Sequence, residues 1–234
     1  MTTITHNNQN VPITGNMAEL AASSNLLKNW IQNVSPEFYS ITNIEVQSMD
    51  VFHNKPHFLK IKASVVQKLV GAHDVIVFLR GDAVVLLAVI IFENKKYVLL
   101  VNQARLPVGT MIHEFVAGML DGEADARKVM FREVQEEASL ASVAGIVEED
   151  IVPLFDGKKI LSSPGIMDEG LYPFYLEKEI TDRNVFEKLQ GLQGGLAEEN
   201  ENITVNLVLF SDVLQYCNDA KTLATLYLYE HRND

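Results

Sequence analysis

The sequence predicts an α/β fold with a small N-terminal β element, and three observations carry that prediction. Stretches between residues 44 and 65 largely alternate apolar and polar side chains, the period of half-buried strands. The run Ala83 to Phe92 is continuously apolar and rich in β-branched residues, as a buried strand is. A single acidic helix at about 124–138 has strand-like segments before and after it. Pattern alone therefore gives a mixed α and β architecture.

The elements follow in order. Met1 to Met17 is rich in Thr and Asn, has no Lys or Arg and lacks the apolar core of a secretory signal, so residues 1–20 are expected as a disordered tail. Ser24 can cap a helix from Asn25 to about Asn33, with Leu26, Leu27, Trp30 and Ile31 on one stripe. Ile44 to Gln47 and Phe58 to Val65 read as strands, with Val51-Phe52 a third short piece, so residues 21–74 form a helix and a β element. Residues 75–234 then form the main domain: strands at 75–80, 83–92 and 96–103, the acidic helix, and strands near 143–148, 151–155, 172–177 and 203–210. The turn Glu93 to Lys96 joins two of these as a hairpin. Two C-terminal helices are expected, one capped near Ser211 and one beginning near Asp219, the latter with Leu223, Leu226, Tyr227 and Tyr229 for apolar contact.

At 234 residues and 47% hydrophobic composition, the chain can bury one large core or a core with an appendage. A net charge of −12 and a pI near 4.9 speak against nucleic acid or anionic membrane as partners. The Ala83 to Phe92 run is about half the length of a membrane span. Cys217 is the only cysteine, which excludes an intrachain disulfide and points to a reducing, cytoplasmic setting.

The chemistry concentrates in Arg132-Glu133-Val134-Gln135-Glu136-Glu137. On a helix Glu133, Glu136 and Glu137 stand at i, i+3 and i+4, so three carboxylates share one face. Like charges so placed repel, and a hard divalent cation with oxygen ligands reverses the penalty. Mg2+ is the expected cofactor, with Mn2+ as an alternative. An apolar entry, Phe115-Val116-Ala117, and a turn, Gly118 to Gly122, precede the helix, and a merely solvated helix needs neither.

These residues resemble the signature of the Nudix hydrolase family, G-x5-E-x7-R-E-U-x-E-E-x-G-U, with U aliphatic. Gly118 takes the first glycine, Arg132-Glu133 the central pair, Val134 and Leu140 the aliphatic positions. The first glutamate of the pattern falls on Ala124, with Glu123 one residue early, and the last glycine is Ser139. The resemblance implies an α/β/α sandwich with a mixed sheet, and magnesium held by Glu133, Glu136, Glu137 and the Ala117 carbonyl.

Segments outside the signature look like the ADP-sugar pyrophosphatase branch, which includes ADP-ribose pyrophosphatases and plant ADP-glucose enzymes. They are Leu27 to Trp30, Phe58 to Lys62, Val77 to Gly81, Asn102 to Arg105, Ser163-Pro164-Gly165, Glu198 to Ile203, Asp219 to Thr222 and Leu226 to Glu230. A dianionic pyrophosphate needs cationic groups in this acidic chain. Arg105, at the end of a strand and before Pro107-Val108-Gly109, can clamp phosphate in bidentate fashion. By resemblance Arg80 is a second phosphate or ribose contact; Met119 and Glu114 complete the expected substrate-binding set, with Glu114 alternatively an additional ligand in the metal shell. The acidic loop Gly194 to Glu201 can swing over substrate, and the resemblance implies that it supplies the general base. Glu199 is the choice, Glu201 a metal or water contact, and Glu198 stays open for the same register. Ser163-Pro164-Gly165 makes a turn near the site, with Asp168 and Glu169 in a substrate loop.

The expected reaction gives AMP and a sugar phosphate from ADP-ribose or ADP-glucose. Adenine would stack on Phe52 or Trp30. The resemblance also implies a homodimer paired through the N-terminal β element. A nucleotide-binding module that does not hydrolyse, and a hydrolase of another nucleoside diphosphate derivative, are the alternatives.

Overall fold

The computed structural model describes residues 1–52, 55–136, 140–195 and 202–232, which divide into two compact units. Met1–Asp82 with Leu161–Glu169 form the first, and Ala83–Ile160 with Gly170–Asp234 the second.

The first unit is a five-stranded sheet in the order β1 (Thr2–His6), β2 (Gln9–Gly15), β3 (Tyr39–Phe52), β4 (Lys55–Gln67), β5 (Gly71–Leu79). All neighbours are antiparallel except β2 and β3, whose crossover contains α1 (Ala18–Ser23) and α2 (Asn25–Asn33). Ser24 caps α2 as expected, accepting the Leu27 N–H at 3.2 Å. Leu27 and Ile31 are buried with Ile44, Leu59, Ile61 and Leu79 in the unit's core. The expected tail at 1–20 is instead a hairpin followed by the start of α1. Asn7 and Asn8 both take positive φ at its turn, and Val11 and Ile13 are buried. The Thr-rich and Asn-rich composition masked that alternation. The boundary expected at residue 74 falls inside β5.

The second unit is a nine-stranded mixed sheet. Its strands are β6 (Ala83–Phe92), β7 (Lys95–Arg105), β8 (Thr110–Glu114), β9 (Val116–Met119), β10 (Val152–Pro153), β11 (Ile160–Leu161), β12 (Gly170–Glu179), β13 (Gln193–Gly194) and β14 (Ile203–Leu209). The main path runs β10-β12-β6-β7-β14-β13, with β12 parallel to β6. Val84, Leu86, Ala88 and Ile90 of β6 face one core together with Val129, Met130 and Val134 of α3 (Ala126–Glu136), parts of α4 (Leu140–Ala144) and Leu189 of α5 (Arg183–Leu189). Ala83, Val85, Leu87 and Val89 face the other, against Val213 of α6 (Val213–Tyr216) and Leu226 and Tyr229 of α7 (Ala220–Glu230). Burial on both faces is why β6 is apolar without alternation. Helices on both sides of the sheet make the expected α/β/α sandwich.

Three expectations change here. Residues 143–148 are not a strand: α4 ends at Ala144, and Ile146 is buried from the loop that follows. An apolar cluster of that length does not distinguish a strand from a helix end. The strand expected at 151–155 is only Val152–Pro153. Ser211 does not cap a helix but lies in a 3-10 turn ahead of α6, whereas Asp219 does cap α7, accepting the Thr222 N–H at 3.2 Å. The helix α5, capped by Asp182, was not anticipated. Among the described residues no helix is long and apolar enough to cross a membrane.

Candidate active site

The acidic face of α3 is placed by what precedes it. β9 runs antiparallel to β6, with Ala117 opposite Val85 and Gly118 opposite Val84. A β-carbon built on Gly118 would lie 2.1 Å from Cδ of Glu133 and 2.4 Å from its Cγ and Oε1. The Glu133 side chain therefore occupies the space that any other residue at 118 would fill. Chain reversal follows at Asp121 and Gly122, both at positive φ. The Glu123 carboxylate accepts the N–H groups of Ala124 (2.8 Å) and Asp125 (3.2 Å), and Asp125 accepts those of Arg127 (3.2 Å) and Lys128 (3.3 Å) at the start of α3. The displaced glutamate thus serves the turn rather than the helix face.

With Val129, Met130 and Val134 turned inward, Glu133 stands at the edge of the buried stripe, its side chain 13% exposed against 35% for Glu136. Arg132 bridges the two, Nη2 to Glu133 Oε1 at 3.3 Å and Nε to Glu136 Oε2 at 3.8 Å, which offsets part of their repulsion. The Gly195 N–H reaches the Glu136 carbonyl at 3.3 Å, so Gly195, which in sequence opens the acidic loop, lies at the end of α3. Glu137 and Ser139, and Glu198, Glu199 and Glu201 of that loop, lie outside the described residues. Among the described residues no three His, Cys, Asp or Glu side chains are gathered as a metal site.

A second ionic group sits where β7 and β8 pair. Arg105 ends β7 and its Nε donates to Oε1 of Glu114, the last residue of β8, at 2.6 Å. The Glu114 side chain is 2% exposed and that of Arg105 40%. Lys221 of α7 takes the other Glu114 oxygen, Oε2, and also reaches Asp219 Oδ1 at 3.1 Å. A carboxylate so buried needs such cations. Lys221, within the Asp219 to Thr222 segment, was not foreseen as a partner of Glu114.

This chain is 32% identical over 225 residues to Nudix hydrolase 14, chloroplastic, of Arabidopsis thaliana, a match covering 90% of this chain and 71% of that protein. The chain belongs to the Nudix hydrolase family. Its fold is also that of a solved ADP compounds hydrolase, with a TM-score of 0.58 at 15% identity over 85% of this chain and 95% of the other. No family model matches.

In Nudix terms, Gly118, Arg132, Glu133 and Glu136 of the signature come together as its spacing implied, while Met119 packs on the opposite sheet face, toward α7. Arg80 belongs to the first unit. Its Nη1 pairs with Glu169 Oε1 at 3.1 Å, and its guanidinium lies 5.8 Å from the Phe58 ring centroid. Asp168 Oδ1 accepts the backbone N–H groups of Arg80 (2.9 Å) and Gly81 (3.2 Å). Burial pushes the Asp168 carboxyl above its ordinary range, and these N–H groups only partly offset it. Ser163-Pro164-Gly165 does make a turn, the Ser163 carbonyl accepting from Ile166 (3.1 Å) and Met167 (3.0 Å). In the same unit Trp30 lines a cavity of about 230 Å³ with Tyr39, His73 and Ile166, while Phe52 is exposed and packs edge-on against Phe58.

Proposed function

We propose that this Nudix hydrolase cleaves the pyrophosphate of ADP-sugars, ADP-ribose or ADP-glucose, to AMP and a sugar phosphate in a magnesium-dependent reaction. The observation that carries the reading is the Gly118 cradle, because it dedicates a glycine to the seating of one carboxylate, Glu133. That cradle, with Glu136 one helical turn on, is an oxygen donor set that fits a hard divalent cation, Mg2+ or Mn2+. Glu133, Glu136, Glu137 and the Ala117 carbonyl would hold it, and when bound it would neutralise the diphosphate and lower the pKa of a water.

The chain's own residues do the rest. Arg105 presents its guanidinium to the phosphate that is not attacked. Glu199 takes the proton from the attacking water, with Glu201 a water or metal contact, and the bond of Gly195 to the end of α3 is what favours this loop. Arg80 is the remaining substrate contact, and adenine stacks on Trp30 or Phe52; Met119, turned to the sheet face opposite Glu133, is left out of the substrate set. The solved neighbour is named for ADP compounds, which agrees with this substrate class. A homodimer paired through the N-terminal sheet, in the cytoplasm, completes the proposal.

The test is a substrate panel with magnesium: ADP-ribose, ADP-glucose, UDP-glucose and a diadenosine polyphosphate, read as nucleotide products. Preferential release of AMP from the ADP-sugars is expected. Preference for UDP-glucose or the dinucleotide would overturn the substrate class, and binding of ADP-ribose without turnover would overturn the enzyme.

A further inference from the structure

Arg105 is held in an unusual way for an arginine beside a carboxylate. The common geometry is side-on, with Nε and one Nη on the two carboxylate oxygens. Here only Nε is used, on Glu114 Oε1, because Oε2 is occupied by Lys221. Among the described residues the Arg105 side chain makes no other hydrogen bond. Both Nη groups therefore remain as donors at the 40% exposed end of the side chain.

Lys221 is itself fixed by the first turn of α7. Asp219 Oδ1 accepts both the Thr222 N–H that starts the helix, at 3.2 Å, and the Lys221 ammonium, at 3.1 Å. Thr222 is fully buried and its hydroxyl oxygen accepts the Phe115 N–H at 3.3 Å. α7 thus holds the chain on two consecutive residues, the Glu114 side chain and the Phe115 backbone.

We infer that Lys221 is a positioning residue for substrate: by occupying Oε2 of the buried Glu114 it denies Arg105 a side-on pair and keeps both Nη groups turned to the diphosphate. The inference rests on the pyrophosphatase reading above for the role of Arg105. It also places Glu114 behind Arg105 rather than on the substrate. Without Lys221, Arg105 would rotate an Nη onto Oε2, and the donors facing phosphate would fall from both Nη groups to one.

The test is calorimetric titration of the full chain with ADP in magnesium, which reads phosphate binding without turnover and so stands apart from any failure of the hydrolysis assay. Lys221→Met should weaken ADP about tenfold, the loss of roughly one charge-assisted hydrogen bond. Lys221→Arg should restore most of the affinity. The double change Lys221→Met with Glu114→Gln should also recover most of it, since an amide offers Arg105 Nε one acceptor and the Nη groups none. In steady-state assays the Lys221→Met loss should fall on KM rather than kcat. Unchanged ADP affinity in Lys221→Met, or a double variant bound about tenfold more weakly than wild type, would overturn the inference; the second readout holds even if the single variant does not fold.

Discussion

The α-carbon of Gly118 lies directly beneath the carboxyl group of Glu133, so close that a methyl there would stand 2.1 Å from Cδ. The atoms in conflict are the far end of a flexible side chain, while the backbone of β9 stays paired to β6. Gly118→Ala should therefore displace Glu133 at little cost to the fold. Expected are a melting temperature within about 4 °C of wild type, a cost of roughly 1 kcal/mol, and a kcat reduced about 100-fold or more. A folded, fully active variant would show that the position of Glu133 does not matter.

Glu177 of β12 gathers the Tyr229 hydroxyl, Lys96 Nζ at 3.2 Å and Arg232 Nη2 at 3.2 Å on one oxygen, tying α7 to the sheet. Burial works against its charge, but Tyr229 and Lys96, then Arg232, outweigh it and hold the carboxyl below its ordinary range. A depressed folded pKa means that the unfolded state binds the proton first. The stabilisation is thus present above the usual glutamate range and disappears as pH falls through the folded value. Glu177→Gln should cost about 1 kcal/mol near neutrality, discounted for partial exposure. Denaturation followed toward acid should show that gap closing; a gap constant with pH would contradict the assignment.

Asp168 has the opposite sign. Its raised carboxyl is a charge kept at a cost at neutral pH, retained because Oδ1 serves the Arg80 and Gly81 N–H groups. Asp168→Asn keeps an acceptor and should equal or exceed wild type in stability above the folded pKa, the advantage fading as pH falls toward the unfolded value. Asp168→Ala leaves two N–H groups without their acceptor and should cost about 1–3 kcal/mol. Thermal melts of the pair across acid pH decide it.

Cys217 lies between α6 and α7, 3% exposed, and burial, then the Asp219 charge, pushes its thiol up to about 12. As the chain's single thiol it reports the opening of α7. Alkylation at neutral pH should be slower than for a free thiol by about 100-fold or more and should rise with denaturant. Rapid labelling of the native protein would mean that the start of α7 is open.

What was legible in the sequence was local. Ser24 before an apolar stripe fixed α2, the unbroken Ala83 to Phe92 run gave a strand buried on both faces, and glutamates at i and i+3 behind a glycine marked the candidate site. Pairings distant in sequence were not legible. Lys221 and Glu114 are 107 residues apart, and nothing near either one announces the other. The first hairpin was missed because its strands carry few apolar residues, so composition outweighed the alternation of Val11 and Ile13. At 143–148 the failure was one of period, since apolar residues at a helix end and in the next loop imitate a short strand.

We propose that Glu133, seated over Gly118, makes this chain a metal-dependent pyrophosphatase of ADP-sugars. The most direct measurement is AMP release from ADP-ribose with magnesium and with excess chelator, for wild type and Glu133→Gln. Release by wild type with magnesium only is expected, reduced about 100-fold or more in the variant. Release that persists in chelator, or equal rates from the two proteins, would contradict it.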